Sequence, residues 1–168
     1  MIMKRTGIAA LALCFAMEAA AAAEVFPRVT TRDLNGREMT FPDDLPGDPT
    51  VILIAFKRAQ QADLDQWIGA LALDRDSAPW IEMPIVPDYG SLWRGFVDNG
   101  MRSGIKTDAA RSKVFTVYGP VDAIRQKLDF PTDDRVYLLV VRRNGTIVAQ
   151  ASGTVTPEKA TRIADALK

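Results

Sequence analysis

The run Thr50-Val51-Ile52-Leu53-Ile54-Ala55-Phe56 limits what this chain can fold into more than any other stretch. It is continuous, β-branched and apolar, with no polar residue alternating toward water, so it reads as a central strand covered on both faces. A strand of that kind needs other strands beside it and helices above and below. The first helix follows at once. Leu64, Trp67, Ile68 and Leu71 recur at i, i+3, i+4 and i+7, which makes one buried stripe. Strand then helix opens an α/β unit.

The remaining elements alternate in the same way. Phe26 to Phe41 reads as an extended lead-in turning at Leu34-Asn35-Gly36-Arg37, and Asp43 to Pro49, with Pro42, Pro46, Gly47 and Pro49, reads as a loop. Trp80 to Val86 predicts a second strand, with Pro84 marking a bulge or an early end. A helix over Ser91 to Asn99 stacks Leu92 over Phe96 and Trp93 over Val97, and Gly100 and Gly104 punctuate its end. A short turn capped by Thr107, a strand over Val114 to Tyr118 and a helix carrying Val121, Ile124 and Leu128 come next. Val136 to Val141 and Thr146 to Ala151 flank Asn144-Gly145 as a hairpin. Thr156 and Pro157 then start a last helix whose inner face is Ala160, Ile163, Ala164 and Leu167.

Met1 to Ala23 stands outside this pattern. Lys4 and Arg5, the apolar stretch Ile8 to Met17 and Ala21-Ala22-Ala23 have the anatomy of a secretory signal peptide. Its uncharged part is shorter than the roughly 20 residues that span a bilayer. Leu13 stands where a lipid anchor on Cys14 would need a small residue. The expectation is export, to the periplasm or outside, with residues 24–168 as one domain and no stable membrane anchor. That domain has 19 basic and 20 acidic residues, so the whole-chain balance predicts no nucleic-acid or anionic-membrane footprint.

The chemistry is bounded by what is missing. The sequence has one cysteine and no histidine, and Cys14 lies in the leader. Thiolate nucleophiles, disulfide exchange and imidazole bases are therefore unavailable to residues 24–168. There is no G-x-G-x-x-G after a strand, no phosphate-binding P-loop and no G-x-S-x-G elbow. The carboxylate pairs Asp43-Asp44, Asp133-Asp134 and Asp74 with Asp76 lack calcium-loop spacing, so no metal or cofactor is expected.

The element order, with Asn35-Gly36, the Asp43-Asp44-Leu45-Pro46-Gly47 loop, the strand Val51 to Phe56 and the late hairpin and helix, resembles the thioredoxin-like superfamily, in its peroxiredoxin and thiol-disulfide reductase branch. The resemblance implies a three-layer α/β/α fold around a mixed sheet that ends in a β-hairpin and helix. Redox members carry a cysteine at the start of the helix after the central strand, where this chain has Lys57-Arg58-Ala59-Gln60-Gln61. They also carry a cis-proline before the hairpin, at the place of Val136; Pro131 falls about five residues too early. The resemblance is thus to a redox-inactive member. The runs Phe96 to Ile105, Val136 to Val140 and Gly145-Thr146-Ile147 are also similar to the mitochondrial ATP-synthase assembly factors called ATP-ten, cysteine-less chaperones of a membrane subunit. The leader departs from that family, since it is not Arg-rich and amphipathic, so the resemblance implies shared ancestry before a shared client.

Two sets of residues are binding candidates. Lys57 and Arg58, with Gln60 and Gln61, form an anion or carboxylate site if side chains and helix amides converge; otherwise they are solvated or pair with Asp63 or Asp65. Asp98, Asn99 and Arg102 form a partner site, or Asp98 and Arg102 pair across one helical turn. Trp67, Trp80, Trp93, Tyr89 and Tyr118 read as core and rim packing. The expected function is binding of a protein or ligand, as an envelope assembly factor or chaperone with another envelope protein as partner. An enzyme of non-sulfur mechanism, or one with a bound cofactor, is the alternative, and a purely structural subunit is a third.

Overall fold

A computed structural model describes residues 25–75 and 77–168. The leader expected over Met1 to Ala23 lies outside the described residues, as does Asp76. In chain order the elements are β1 (Val29–Arg32), β2 (Glu38–Phe41), β3 (Thr50–Ala55), α1 (Gln61–Ala70), β4 (Trp80–Val86), α2 (Ser91–Gly104), α3 (Asp108–Arg111), β5 (Val117–Tyr118), α4 (Val121–Lys127), β6 (Tyr137–Val141), β7 (Ile147–Ser152) and α5 (Pro157–Asp165). β1 and β2 form an antiparallel hairpin. The other five strands make one mixed sheet, ordered β5-β4-β3-β6-β7.

β3 is the middle strand, as its composition requires, and all six of its residues are buried. β4 runs parallel to it and β6 antiparallel, with Ile54 opposite Tyr137 and Thr50 opposite Val141. Side chains alternate across a strand, so the sheet divides its apolar residues between two cores. Ile52, Ile54, Met83, Tyr137 and Leu139 face one side with Phe26, Phe41, Phe115 and Phe130. Val51, Leu53, Leu138 and Val140 face the other with Leu64 and Trp67 of α1 and Ile163 of α5. Trp67 is fully buried, and its indole N–H donates to the Gly153 carbonyl at 2.8 Å.

Turn chemistry fixes the ends. The Asp33 carboxylate, 4 % exposed, accepts from the amides of Asn35 and Arg37 and so holds the β1–β2 turn, where Gly36 takes φ +89°. Gly145, at φ +88°, closes the β6–β7 hairpin. A Cβ there would stand 3.1 Å from Val25 and 3.3 Å from Pro42, because the lead-in crosses over the tip. Thr107 and Thr156 cap α3 and α5 by accepting from Ala110 and Lys159 amides, as expected.

The structure corrects the sequence in four places. Pro84 neither ends nor bulges β4; it sits in register opposite Ala55. Amides alternate along a strand, so its ring nitrogen faces the same side as the Glu82 amide, toward the β5 segment. On that side pairing is interrupted between Glu82–Val114 and Ile85–Val117, so no ladder bond is lost. The helix expected to stop at Asn99 continues to Gly104. Anchors beyond Gly100 hold the extra turn: Arg102 Nε donates to the Leu34 carbonyl at 2.6 Å, and Thr116 Oγ1 lies 3.5 Å from Met101 Sδ. Ala164 is exposed rather than on the inner face of α5. Tyr89 is 74 % exposed, not packed, because α2 stands off the sheet and contributes no residue to either core.

Candidate functional site

The site grows from the end of β3. Past Ala55 the chain leaves the sheet through Phe56 and makes a 3-10 turn, Arg58–Gln60, before α1 begins at Gln61. Lys57 therefore caps a separate turn and Arg58 opens it, and neither crowns the N-terminus of α1.

Gln60 organises this junction. It is 6 % exposed; its Oε1 accepts from the amides of Phe56 at 2.8 Å and Lys57 at 3.2 Å, and its Nε2 donates to the Asp133 carbonyl at 2.7 Å. One amide side chain thus ties the exit of β3 to the loop that enters β6, and its bonds leave it no ligand-orienting role. Above it, Lys57 Nζ donates to Asp133 Oδ1 at 3.2 Å and Asp134 Oδ1 at 2.5 Å. Lys57 pairs with these carboxylates and not with Asp63 or Asp65, the partners expected from sequence. Both hydrogen bonds, Asp134 foremost, raise the Lys57 pKa, and the Lys57 ammonium lowers that of Asp134, with Thr132 adding to the effect.

Beneath this clasp lies an aromatic floor. Phe130 stacks on Tyr137 with centroids 3.8 Å apart, and Phe56 meets both edge-on at 6.5 and 6.1 Å. Tyr137 Oη donates to the Thr132 carbonyl at 2.8 Å, which holds the loop onto the floor. Arg58 is exposed and has no ion pair or side-chain hydrogen bond among the described residues; Arg135 is exposed nearby in sequence to the carboxylates. Gln61 bonds Asp65 at 3.1 Å.

Asp98, Asn99 and Arg102 belong elsewhere. Asp98 Oδ1 accepts from Tyr118 Oη at 2.6 Å; desolvation of the phenol, and after it this bond, raises the Tyr118 pKa. Arg102 is spent on Leu34 and, at 3.3 Å, on Asn99 Oδ1, so the expected Asp98–Arg102 pair does not form. No hydrogen bond or ion pair joins this set to Lys57. Sequence reasoning weighed Asp133 and Asp134 only as a loop carboxylate pair, because 76 and 77 residues separate them from Lys57. The one local signal was the polar sequence just before the hairpin strand.

A cavity of about 470 Å³ lies at the opposite end of the sheet, between Met39, Phe41, Pro79, Trp80, Lys113 and Phe115. Among the described residues no cluster of three or more His, Cys, Asp or Glu is placed to hold a metal ion, and no helix is long and apolar enough to cross a membrane.

A mixed sheet of this order, with α1 leaving the end of its central strand and a terminal hairpin and helix, is the thioredoxin-like fold. The chain's structural neighbours agree. The thioredoxin domain of a thiol-disulfide oxidoreductase from Bacteroides vulgatus superposes with a TM-score of 0.54 at 13 % identity, covering 89 % of this chain and 100 % of that one. BsSco, a member of the Sco family of cytochrome c oxidase assembly proteins, gives 0.57 at 9 % identity over 86 % and 92 %. The exposed lipoprotein thioredoxin of Streptococcus pneumoniae gives 0.54 at 10 % identity over 84 % and 98 %. No family model and no curated protein sequence matches the chain. The likeness is one of fold, and the assembly-factor resemblance rests on the short runs quoted above.

Proposed function

We propose that this chain is an exported, non-redox thioredoxin-like protein that works by recognising another envelope protein, as an assembly factor or chaperone, with its leader removed after Ala23. The observation that carries the reading is the Lys57–Gln60 clasp on Asp133-Asp134, built at the position where the resemblance places a reactive cysteine. A buried amide and an ion pair fill the junction, and no sulfur is available there. Exposed ion pairs are worth little, so an acidic group on a partner displaces Asp133 or Asp134 from Lys57 at small cost. Exposed Arg58 and Arg135 add cations to the same end. One structural neighbour is itself described as an oxidase assembly protein.

The test places a photo-crosslinking residue at Ala59 and, as a control, at exposed Arg143 on the hairpin tip at the other end of the sheet. A discrete adduct with one envelope protein from position 59 only, lost when Lys57 and Arg58 are both changed to Glu, is expected. Equal adducts from both positions overturn the reading. Reduction of insulin disulfides by the purified protein overturns its non-redox part.

A further inference from the structure

Among the described residues β7 is the one long edge of the main sheet, since β5 at the other side has two residues. Its composition does nothing to blunt it. Thr146 to Ser152 is seven residues with no charge and no proline, the kind of segment that pairs with strands of other chains. Alternate residues of an edge strand turn their backbone groups outward. Gly153 donates to the Val136 carbonyl at 2.8 Å, and Ala151 and Ala149 face Leu138 and Val140 in the same phase. Gln150 and Ser152 are therefore the residues whose backbone groups point away from β6.

Both outward carbonyls are taken by α5. Lys159 Nζ donates to the Ser152 carbonyl at 2.8 Å and to that of Thr154 at 2.9 Å, and Arg162 Nη2 donates to the Gln150 carbonyl at 3.0 Å. The two cations stand three residues apart and so share one side of the helix. The start of the strand is closed by other means. The lead-in reaches the hairpin tip, where Phe26 donates to the Gly145 carbonyl at 2.8 Å, and Val148 is the extra residue where the register shifts between Val140 and Val141. The outward amides of Gln150 and Ser152 are left without a hydrogen bond among the described residues. We propose that Lys159 and Arg162 guard the β7 edge against strand addition, and that the strand they exclude is β7 of a second copy.

A second copy fits this edge better than a foreign strand. Antiparallel pairing about a two-fold axis sets each outward amide opposite an outward carbonyl, so β7 is complementary to itself once its carbonyls are free. The uncharged run Thr146 to Ser152 places no like charges against each other in that pairing. The same axis brings Lys159 and Arg162 of both copies together, so the guard acts by repulsion as well as by occupying acceptors. Neither residue bonds the Lys57 clasp, so the guard stands whatever that clasp binds.

The test is sedimentation velocity of the parent protein and of K159A/R162A over a range of concentrations, both in the form recovered from cells. Exchange of the Gln150 and Ser152 amides with deuterated water is read alongside. The double variant is expected to dimerise at least about tenfold more tightly than the parent, with both amides slowed in the dimer. R162A alone shifts association the same way; its side chain is exposed and bonds only Gln150 among the described residues, so it keeps the comparison if K159A/R162A fails to fold. Adding Gln150→Pro removes an outward amide without touching the ladder to β6, and returns the double variant to monomer. Association equal to that of the parent, a dimer that survives Gln150→Pro, or a dimer with both amides still exchanging freely overturns the proposal. A variant that stays monomeric yet crosslinks through β7 to another protein overturns it in favour of a foreign strand.

Discussion

Two residues hold more than their types suggest. Gln60 satisfies two backbone amides at the end of β3 and one carbonyl in the loop opposite. Gln60→Ala leaves those groups unpartnered in a buried place, which costs about 1–3 kcal/mol, read by urea unfolding. Glu82 on β4 is the second. It points to the α1 side, where desolvation, and after it the negative charge of Asp65, pushes its pKa from 4.5 up to about 7. A carboxyl raised in the fold is an asset when protonated: stability is full below the unfolded value of 4.5, falls as pH rises toward 7 and stays low above it. At about 1.4 kcal/mol per pH unit the displacement corresponds to about 3 kcal/mol. Glu82→Gln is therefore expected to match the parent protein at pH 4.5 and exceed it by up to that amount at pH 8. An equal advantage at both pH values would show that ionisation of Glu82 is not its source. Neither role was visible in the sequence, where Gln60 was one of two adjacent glutamines and Glu82 a polar residue within a strand.

Among the elements, α1 and α2 make the contrast. Both carry apolar residues at helical spacing, and the sequence gives no ground for treating them differently. In α1 the stripe faces β3 and is buried; in α2 much of it faces solvent. The two helices therefore respond oppositely to truncation. Trp67→Ala removes a fully buried indole and its bond to Gly153, and is expected to destabilise by about 3–5 kcal/mol. Phe96→Ser, at a site already in water, is expected to change the unfolding free energy by less than about 0.5 kcal/mol. A large loss for Phe96→Ser would mean that α2 is packed after all. Periodicity reports that a helix has an apolar side, not whether the fold covers it. The succession of strands and helices along the chain, both caps and both turns were legible because each depends on residues a few positions apart.

For the whole molecule, one uninterrupted apolar strand and the elements alternating around it predicted an α/β fold, and the resemblance of that arrangement implied the thioredoxin-like one. The clasp did not follow from either, because its halves meet only after β6 has paired with β3.

The crossing of the lead-in over the hairpin tip settles how the domain is held. Val25 bridges Thr146, and Phe26 donates to the Gly145 carbonyl at 2.8 Å, at the foot of the sheet where Thr50 and Val141 pair. α5 runs back toward that foot, its Lys159 bonding Ser152 and its Arg162 the Gln150 carbonyl further along. A tether or sensor chip attached at Val25 or at Lys168 would therefore grip the described domain by its base and present Lys57, Arg58 and Arg135 outward like a lamp on a post.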